Sequence, residues 1–165
     1  DSSLDGHYKL VAVEQDGPLK PAIKLSESKA KTRNPGDKSV WRVYDARGKA
    51  SADLIALAGE NPAEETPLIL RHPTDEHRVR RLGAGEVQRV EPLLEEVVRS
   101  GRRLGDPPSL DVMRARRLAD MADLDPGVKR LMHPHLYHVS LSQGLWAHKR
   151  ELVARVRGEA GEDRS

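Results

Sequence analysis

Asn34-Pro35-Gly36-Asp37-Lys38-Ser39-Val40-Trp41-Arg42-Val43-Tyr44-Asp45-Ala46-Arg47-Gly48-Lys49 reads as turn, strand and turn. The Asn-Pro-Gly-Asp run supplies turn residues, residues 39–44 have the β-branched and aromatic content of a strand, and Gly48 marks the next reversal. On the upstream side, residues 7–14 alternate around Val11 and Val13. The turn-forming Gln15-Asp16-Gly17-Pro18 follows, and then Ala22-Ile23-Lys24-Leu25, so this stretch predicts a hairpin. On the downstream side, residues 53–57 and 67–70 continue the strand pattern across a loop rich in proline and acid at 60–66. The order of the strands is not legible.

The pattern changes after residue 90. Leu93, Leu94, Val97 and Val98 are spaced as in a helix, but Ser100-Gly101 suits a hairpin turn, and both readings stay open. Beyond the Pro107-Pro108 break, Ser109 is the expected N-cap of a helix running to about Ala122, with Leu110, Met113, Arg117 and Met121 on its inner face. Asp125-Pro126 opens a short helical turn that ends before Pro134. Ser140 and Gln143 form a capping-box pattern for a last helix carrying Leu141, Leu145, Leu152 and Val156. The expected fold is α+β: an antiparallel, β-rich region over 1–90, a mainly helical region over 91–158, and a frayed, disordered tail over 159–165.

Composition narrows the function classes. The chain has 165 residues, 37% of them hydrophobic, enough for a modest core. It has no cysteine, which excludes disulfides and thiolate metal sites and fits a reducing cytoplasm. No apolar run approaches the ~20 residues of a membrane span. Because the chain opens on Asp1 rather than methionine, we expect a piece of a longer protein. The 28 basic and 26 acidic residues nearly balance, and five aromatics offer little for stacking bases, so no nucleic-acid partner is expected. Between Lys20 and Arg42, however, seven basic residues face only Glu27 and Asp37.

Three groupings are candidates for chemistry. His133, His135 and His138 crowd together, with His148 on the last helix, but Pro134 interrupts them and no acid completes a ligand set, so ordinary surface histidines and no metal site are expected. The run Lys24-Leu25-Ser26-Glu27-Ser28-Lys29-Ala30-Lys31 sets lysines and hydroxyls where a polyphosphate could lie, although a solvated basic loop has the same composition. Ser39, Ser109, Ser140 and Ser142 sit at strand edges and helix caps with no histidine and acid tied to any of them.

Several short motifs occur in one order along the chain. They are His7-Tyr8-Lys9-Leu10-Val11-Ala12-Val13, then Lys24-Leu25-Ser26, then Pro35-Gly36-Asp37-Lys38-Ser39-Val40-Trp41-Arg42, then Asp53-Leu54-Ile55. Pro108-Ser109-Leu110-Asp111 with Arg114 follows, and finally Pro134-His135-Leu136-Tyr137-His138-Val139-Ser140-Leu141-Ser142. In these the chain resembles nicotinate phosphoribosyltransferase after its barrel. It departs from the family at His133, where asparagine is usual, and at His138, where proline often stands.

The resemblance implies a C-terminal portion of a type II phosphoribosyltransferase with an irregular α/β barrel. Such an enzyme of NAD salvage joins nicotinate to phosphoribosyl pyrophosphate, with coupled ATP hydrolysis and Mg²⁺, in the cytoplasm and across a homodimer interface. It also implies that the phosphate loop and the phosphorylated histidine lie outside this chain, so no catalytic residue is assigned here, and this portion alone is expected to be inactive. By the same resemblance Lys24 and Lys29 lie near the polyphosphate site, where loss of one contact would cost about 1.5–3 kcal/mol. With strands missing, the isolated chain is expected to fold loosely or aggregate. The alternative is a stand-alone binding module whose basic hairpin, Lys20 to Arg42, meets RNA or an acidic partner.

Overall fold

The turn chemistry of the decisive stretch sets its geometry. In a computed structural model of the chain, which describes residues 8–26 and 32–162, Gly36 and Gly48 adopt φ of 81° and 75°, values that side-chain-bearing residues avoid. Between those turns runs β3 (Lys38–Asp45), antiparallel to β4 (Ala50–Leu57). The Asp45 carboxylate closes the connection by accepting from the backbone N–H groups of Arg47 at 2.9 Å and Lys49 at 3.0 Å. Upstream, β1 (Ala12–Glu14) pairs with β2 (Leu19–Pro21) across the Asp16-Gly17 turn. The second strand of that hairpin therefore comes earlier than Ala22-Ile23-Lys24-Leu25, because a tight turn brings the chain straight back into register.

The main sheet adds β5 (Leu68–Arg71), β6 (Val79–Leu82), β7 (Val87–Pro92) and β10 (His138–Leu141). Its order is β6-β5-β10-β4-β3-β7. All pairs are antiparallel except β10 with β4, which run parallel with Ser140 opposite Leu54. β6 and β7 are opposite edges, yet they are joined by a tight turn in which Glu86 N donates to Gly83 O at 3.0 Å. The edges of a flat six-stranded sheet would stand about 24 Å apart. The sheet must therefore curl on itself, and its inner face holds the core: Val43, Ala52, Leu54, Leu68, Leu70 and Leu82, with Trp41, Val87 and Val90 packed against them. Alternation along β4 is complete, with Ala50, Ala52, Leu54 and Ala56 buried.

Residues 93–104 choose the hairpin. β8 (Val98–Arg99) and β9 (Arg102–Arg103) pair around Ser100-Gly101, both at positive φ. α1 (Leu110–Asp123) starts where Ser109 Oγ accepts from Val112 N at 3.3 Å, as expected from the sequence. Its expected inner face is a correction: Leu110, Met113 and Met121 are exposed and no residue of α1 is buried. After it, Val128 N and Lys129 N donate to Asp125 O and Pro126 O in a turn.

α2 (Gln143–Glu162) lies on the outer face of the sheet against β4 and β5, burying Leu145 and Leu152. It runs past Gly158, and residues 163–165 of the expected tail fall outside the described residues. Its cap is Ser142, whose Oγ accepts from Leu145 N at 3.0 Å, because Ser140 is occupied as a buried residue of β10. Ser142 Oγ donates to Glu60 at 2.5 Å, and Glu60 also accepts from Gly144 N at 3.1 Å and Leu57 N at 2.7 Å. One carboxylate thus satisfies the helix N-terminus and the loop after β4 together.

Candidate functional site

Between α2 and the turn after β5 lies a cleft of about 330 Å³. Leu25, Ser26 and Thr32 close one side, His72, Pro73, Thr74 and Glu76 another, and Trp146, Lys149, Arg150, Val153 and Arg157 of α2 form the floor. The side chains are fixed from both directions. Arg71 and Arg150 lie 4.3 Å and 4.7 Å from the Trp146 ring centre, Arg71 donates to Gln143 Oε1 at 2.8 Å, and Arg150 meets Glu76 at 3.2 Å. His72 Nδ1 accepts from Asp75 N at 3.0 Å, which holds the turn and leaves Nε2 as its other ring nitrogen.

Lys149 anchors the basic segment. Its Nζ donates to Thr32 O at 3.2 Å and to Asn34 Oδ1 at 2.9 Å, and burial lowers its pKa from the ordinary lysine value. Lys24 is exposed on the near side of the same segment. It borders a broader depression of about 630 Å³ together with Lys9, Ile23, Leu25, Ser26 and Arg33, whose lining holds three cations and no carboxylate. Lys29 lies outside the described residues. Of the two lysines singled out from sequence, Lys24 therefore has a place beside other positive charges, a setting suited to an anion.

On the outer face of β3 and β4, Arg42 donates from Nε and Nη2 to the two carboxylate oxygens of Asp53 at 2.9 and 3.2 Å, and the Tyr137 hydroxyl donates to Asp53 Oδ1 at 2.8 Å. The hydrogen bond to Asp53 raises the pKa of Arg42, while burial and then Asp53 raise that of Tyr137. Both groups stay protonated, so this is a clamp rather than an acid or base. The serines have bonding partners of their own: Ser39 Oγ accepts from Trp41 Nε1 at 2.8 Å, and Ser109 and Ser142 are caps. Of the histidines, His133 is exposed at φ 49°, His135 stacks against Gly127, and His138 sits in β10 with its pKa lowered by burial and by Arg80 and Arg78. Among the described residues no three His, Asp or Glu side chains converge as metal ligands would.

Residues 37–149 match the family model described as the nicotinate phosphoribosyltransferase C-terminal domain. The chain belongs to this family. It is 33% identical over 153 residues to nicotinate phosphoribosyltransferase from Bos taurus, covering 93% of this chain and 27% of that one. With the enzyme of the same name from Bacillus subtilis (strain 168) it shares 26% over 162 residues, 98% of this chain and 32% of that one. The crystal structure of human nicotinic acid phosphoribosyltransferase superposes with a TM-score of 0.62 and 28% identity, over 72% of this chain and 23% of that one. The chain thus spans between a quarter and a third of the length of these two curated relatives. No helix among the described residues is long and apolar enough to cross a membrane.

Sequence reasoning missed Glu60, Gly144 and Lys149. Glu60 meets Ser142 and Gly144 across more than eighty positions, and Lys149 meets Asn34 across 115. The capping box at the start of α2 was the one local signal, and it pointed to the wrong serine.

Proposed function

We propose that this chain is the C-terminal domain of an enzyme that joins nicotinate to phosphoribosyl pyrophosphate. The products are nicotinate mononucleotide and pyrophosphate, with ATP hydrolysis coupled to the reaction, in NAD salvage. The match of residues 37–149 to the family's C-terminal domain carries this reading. In this reading the domain's part is supportive, and nucleophile, base and base-binding pocket lie in the rest of the enzyme, as the resemblance implies. In this reading Mg²⁺ and ATP are also bound mainly outside this chain, as the resemblance implies. The intact enzyme acts as a cytoplasmic homodimer. Lys24, backed by Lys9 and Arg33, and Lys29 contribute positive charge beside its polyphosphate substrates.

The polypeptide containing this chain, purified from its source, is expected to form nicotinate mononucleotide and pyrophosphate from the two substrates, with ATP raising the rate. Absence of product, with nicotinate or with nicotinamide, would refute the reading. In the active protein Lys24→Ala is expected to raise KM for ATP or phosphoribosyl pyrophosphate roughly tenfold or more, the equivalent of one lost charged contact. Unchanged kinetics would remove Lys24 from the site.

A further inference from the structure

On the inner face of the curled sheet the apolar lining gives way to cations along β5 and β6. Leu68 lies opposite Leu82, both in the core, but the next inward pair is Leu70 with Arg80. Beyond it, His72 N donates to Arg78 O at 3.0 Å and sets histidine opposite arginine. Residues paired across neighbouring strands share a face, so Arg80, Arg78 and His72 continue the face of the core to its open end, where both arginines are exposed. β10 adds two more groups. Its Leu141 lies opposite Arg71, which brings Ser140 level with His72, and His138 shares the inner face with its partner, the fully buried Ala52.

These groups gather without an acid among them. Burial first, and then the positive charge of Arg80, Arg78 and His72, holds the His138 pKa below the ordinary histidine value. Among the described residues neither Arg78 nor Arg80 has a partner for its guanidinium. The nearby carboxylates are engaged elsewhere: Asp75 accepts from His77 N at 3.1 Å, Glu76 meets Arg150 at 3.2 Å, and Asp53 lies on the outer face with Arg42. Unlike Ser39, Ser109 and Ser142, Ser140 has no hydrogen-bond partner for its hydroxyl among the described residues, although its side chain is only 6% exposed. No fully enclosed polar atom there lacks a partner, so that oxygen is reachable from outside. His72 Nδ1 accepts from Asp75 N, which leaves Nε2 of the neutral ring as a donor.

We infer that Arg78, Arg80, His72, His138 and Ser140 form a binding site for a phosphate-class oxyanion, taken either as free orthophosphate or as the phosphoryl group of a monoester. Two fixed guanidinium charges suit a dianion, and donors arriving from three adjacent strands suit an acceptor whose oxygens do not lie in one plane, as those of a carboxylate do. The site shares no residue with the depression around Lys24.

The test is carbethoxylation of the full-length polypeptide that contains this chain by diethyl pyrocarbonate, which attacks neutral imidazole, read at each histidine by peptide mass mapping. Relative to chloride at equal ionic strength, orthophosphate is expected to slow modification of His138 saturably, about sixfold once it exceeds its Kd fivefold. Arg78→Gln with Arg80→Gln should remove the protection, and Ser140→Ala should raise the half-protecting concentration about three- to tenfold. Arg81→Gln, which takes the same charge from the opposite face of β6, should leave it unchanged. Sulfate stays a dianion throughout the histidine range and favours protonated His138, so it should raise the midpoint of the rate's pH profile by about one pH unit in the parent and not in the double variant. Ribose 5-phosphate is run beside orthophosphate, and whichever protects at the lower concentration names the form of the occupant. Absence of protection beyond that of chloride, or equal loss in Arg80→Gln and Arg81→Gln, would overturn the site. If the double variant is misfolded, seen as faster modification at every histidine, Ser140→Ala decides: unchanged half-protection refutes the inference.

Discussion

Gly144→Ala tests the junction between the β4 loop and α2. A Cβ at Gly144 would lie 2.3 Å from Glu60 Oε1 and 2.8 Å from its Cδ, so the carboxylate must leave or the helix must shift. Either movement strips Glu60 of its bonds to Gly144 N and Ser142 Oγ. Hydrogen bonds to a charged group contribute about 1.5–3 kcal/mol each, and two that share one acceptor do not add in full, so a loss of about 2–4 kcal/mol is reasonable. Alanine recovers at most about 1 kcal/mol through helix propensity. The net, about 1–3 kcal/mol, corresponds to a fall in Tm of roughly 2–12 °C for a chain of this size. The sign should reverse when the obstacle is gone: in a Glu60→Ala background the same substitution should stabilise by about 0.5–1 kcal/mol. Urea unfolding of the four proteins, followed by circular dichroism, measures both values. If Gly144→Ala costs nothing in the parent, or costs the same in both backgrounds, the reasoning about Glu60 is wrong.

Arg42→Lys is expected to destabilise by about 1–2 kcal/mol, since an ammonium cannot span both Asp53 oxygens, and Tyr137→Phe by about 1 kcal/mol; urea midpoints report both. Burial, and then Glu60, raise the pKa of Glu65 above the ordinary value, so folding penalises its ionised form. A carboxyl whose folded pKa is raised weakens the protein as pH climbs through the unfolded and then the folded pKa. Glu65→Gln should therefore raise Tm at pH 7 and leave it unchanged at pH 3, and equal shifts at both would contradict the assignment. Lys149→Met should release Thr32 and Asn34 and speed amide exchange at Gly36, while exchange in β4 stays as it was.

The legible part of the fold was local. Turns at 34–37 and 45–49 announced themselves through glycine, asparagine and proline, and Ser109 announced α1, because each structure is made by residues that are neighbours in sequence. β6 and β7 escaped notice because Val79-Arg80-Arg81-Leu82 and Val87-Gln88-Arg89-Val90 have few apolar residues, and their strand character comes from pairing and from the curl. In α1 the helical spacing of Leu110, Met113 and Met121 does not mean burial, because spacing sets a face and not what covers it. At the site, Lys24 was legible as charge, but its companions Lys9 and Arg33 were not, since the β1–β2 hairpin and the half-buried Lys149 anchor bring those segments together.

The position of β10 also governs the order in which the molecule can be built. Until residues 138–141 exist, β4 and β5 have no hydrogen-bonded neighbour between them, and no strand pairing joins β6-β5 to β4-β3-β7. Tyr137 must then find Asp53 across 84 positions, a long closure that slows assembly. On the ribosome the chain would wait for residues 138–141 with the facing edges of β4 and β5 unsatisfied. A nascent chain stalled before His138 thus offers a strand-accepting slot to any extended peptide nearby, and synthesis of β10, rather than any bound ligand, is what seals it.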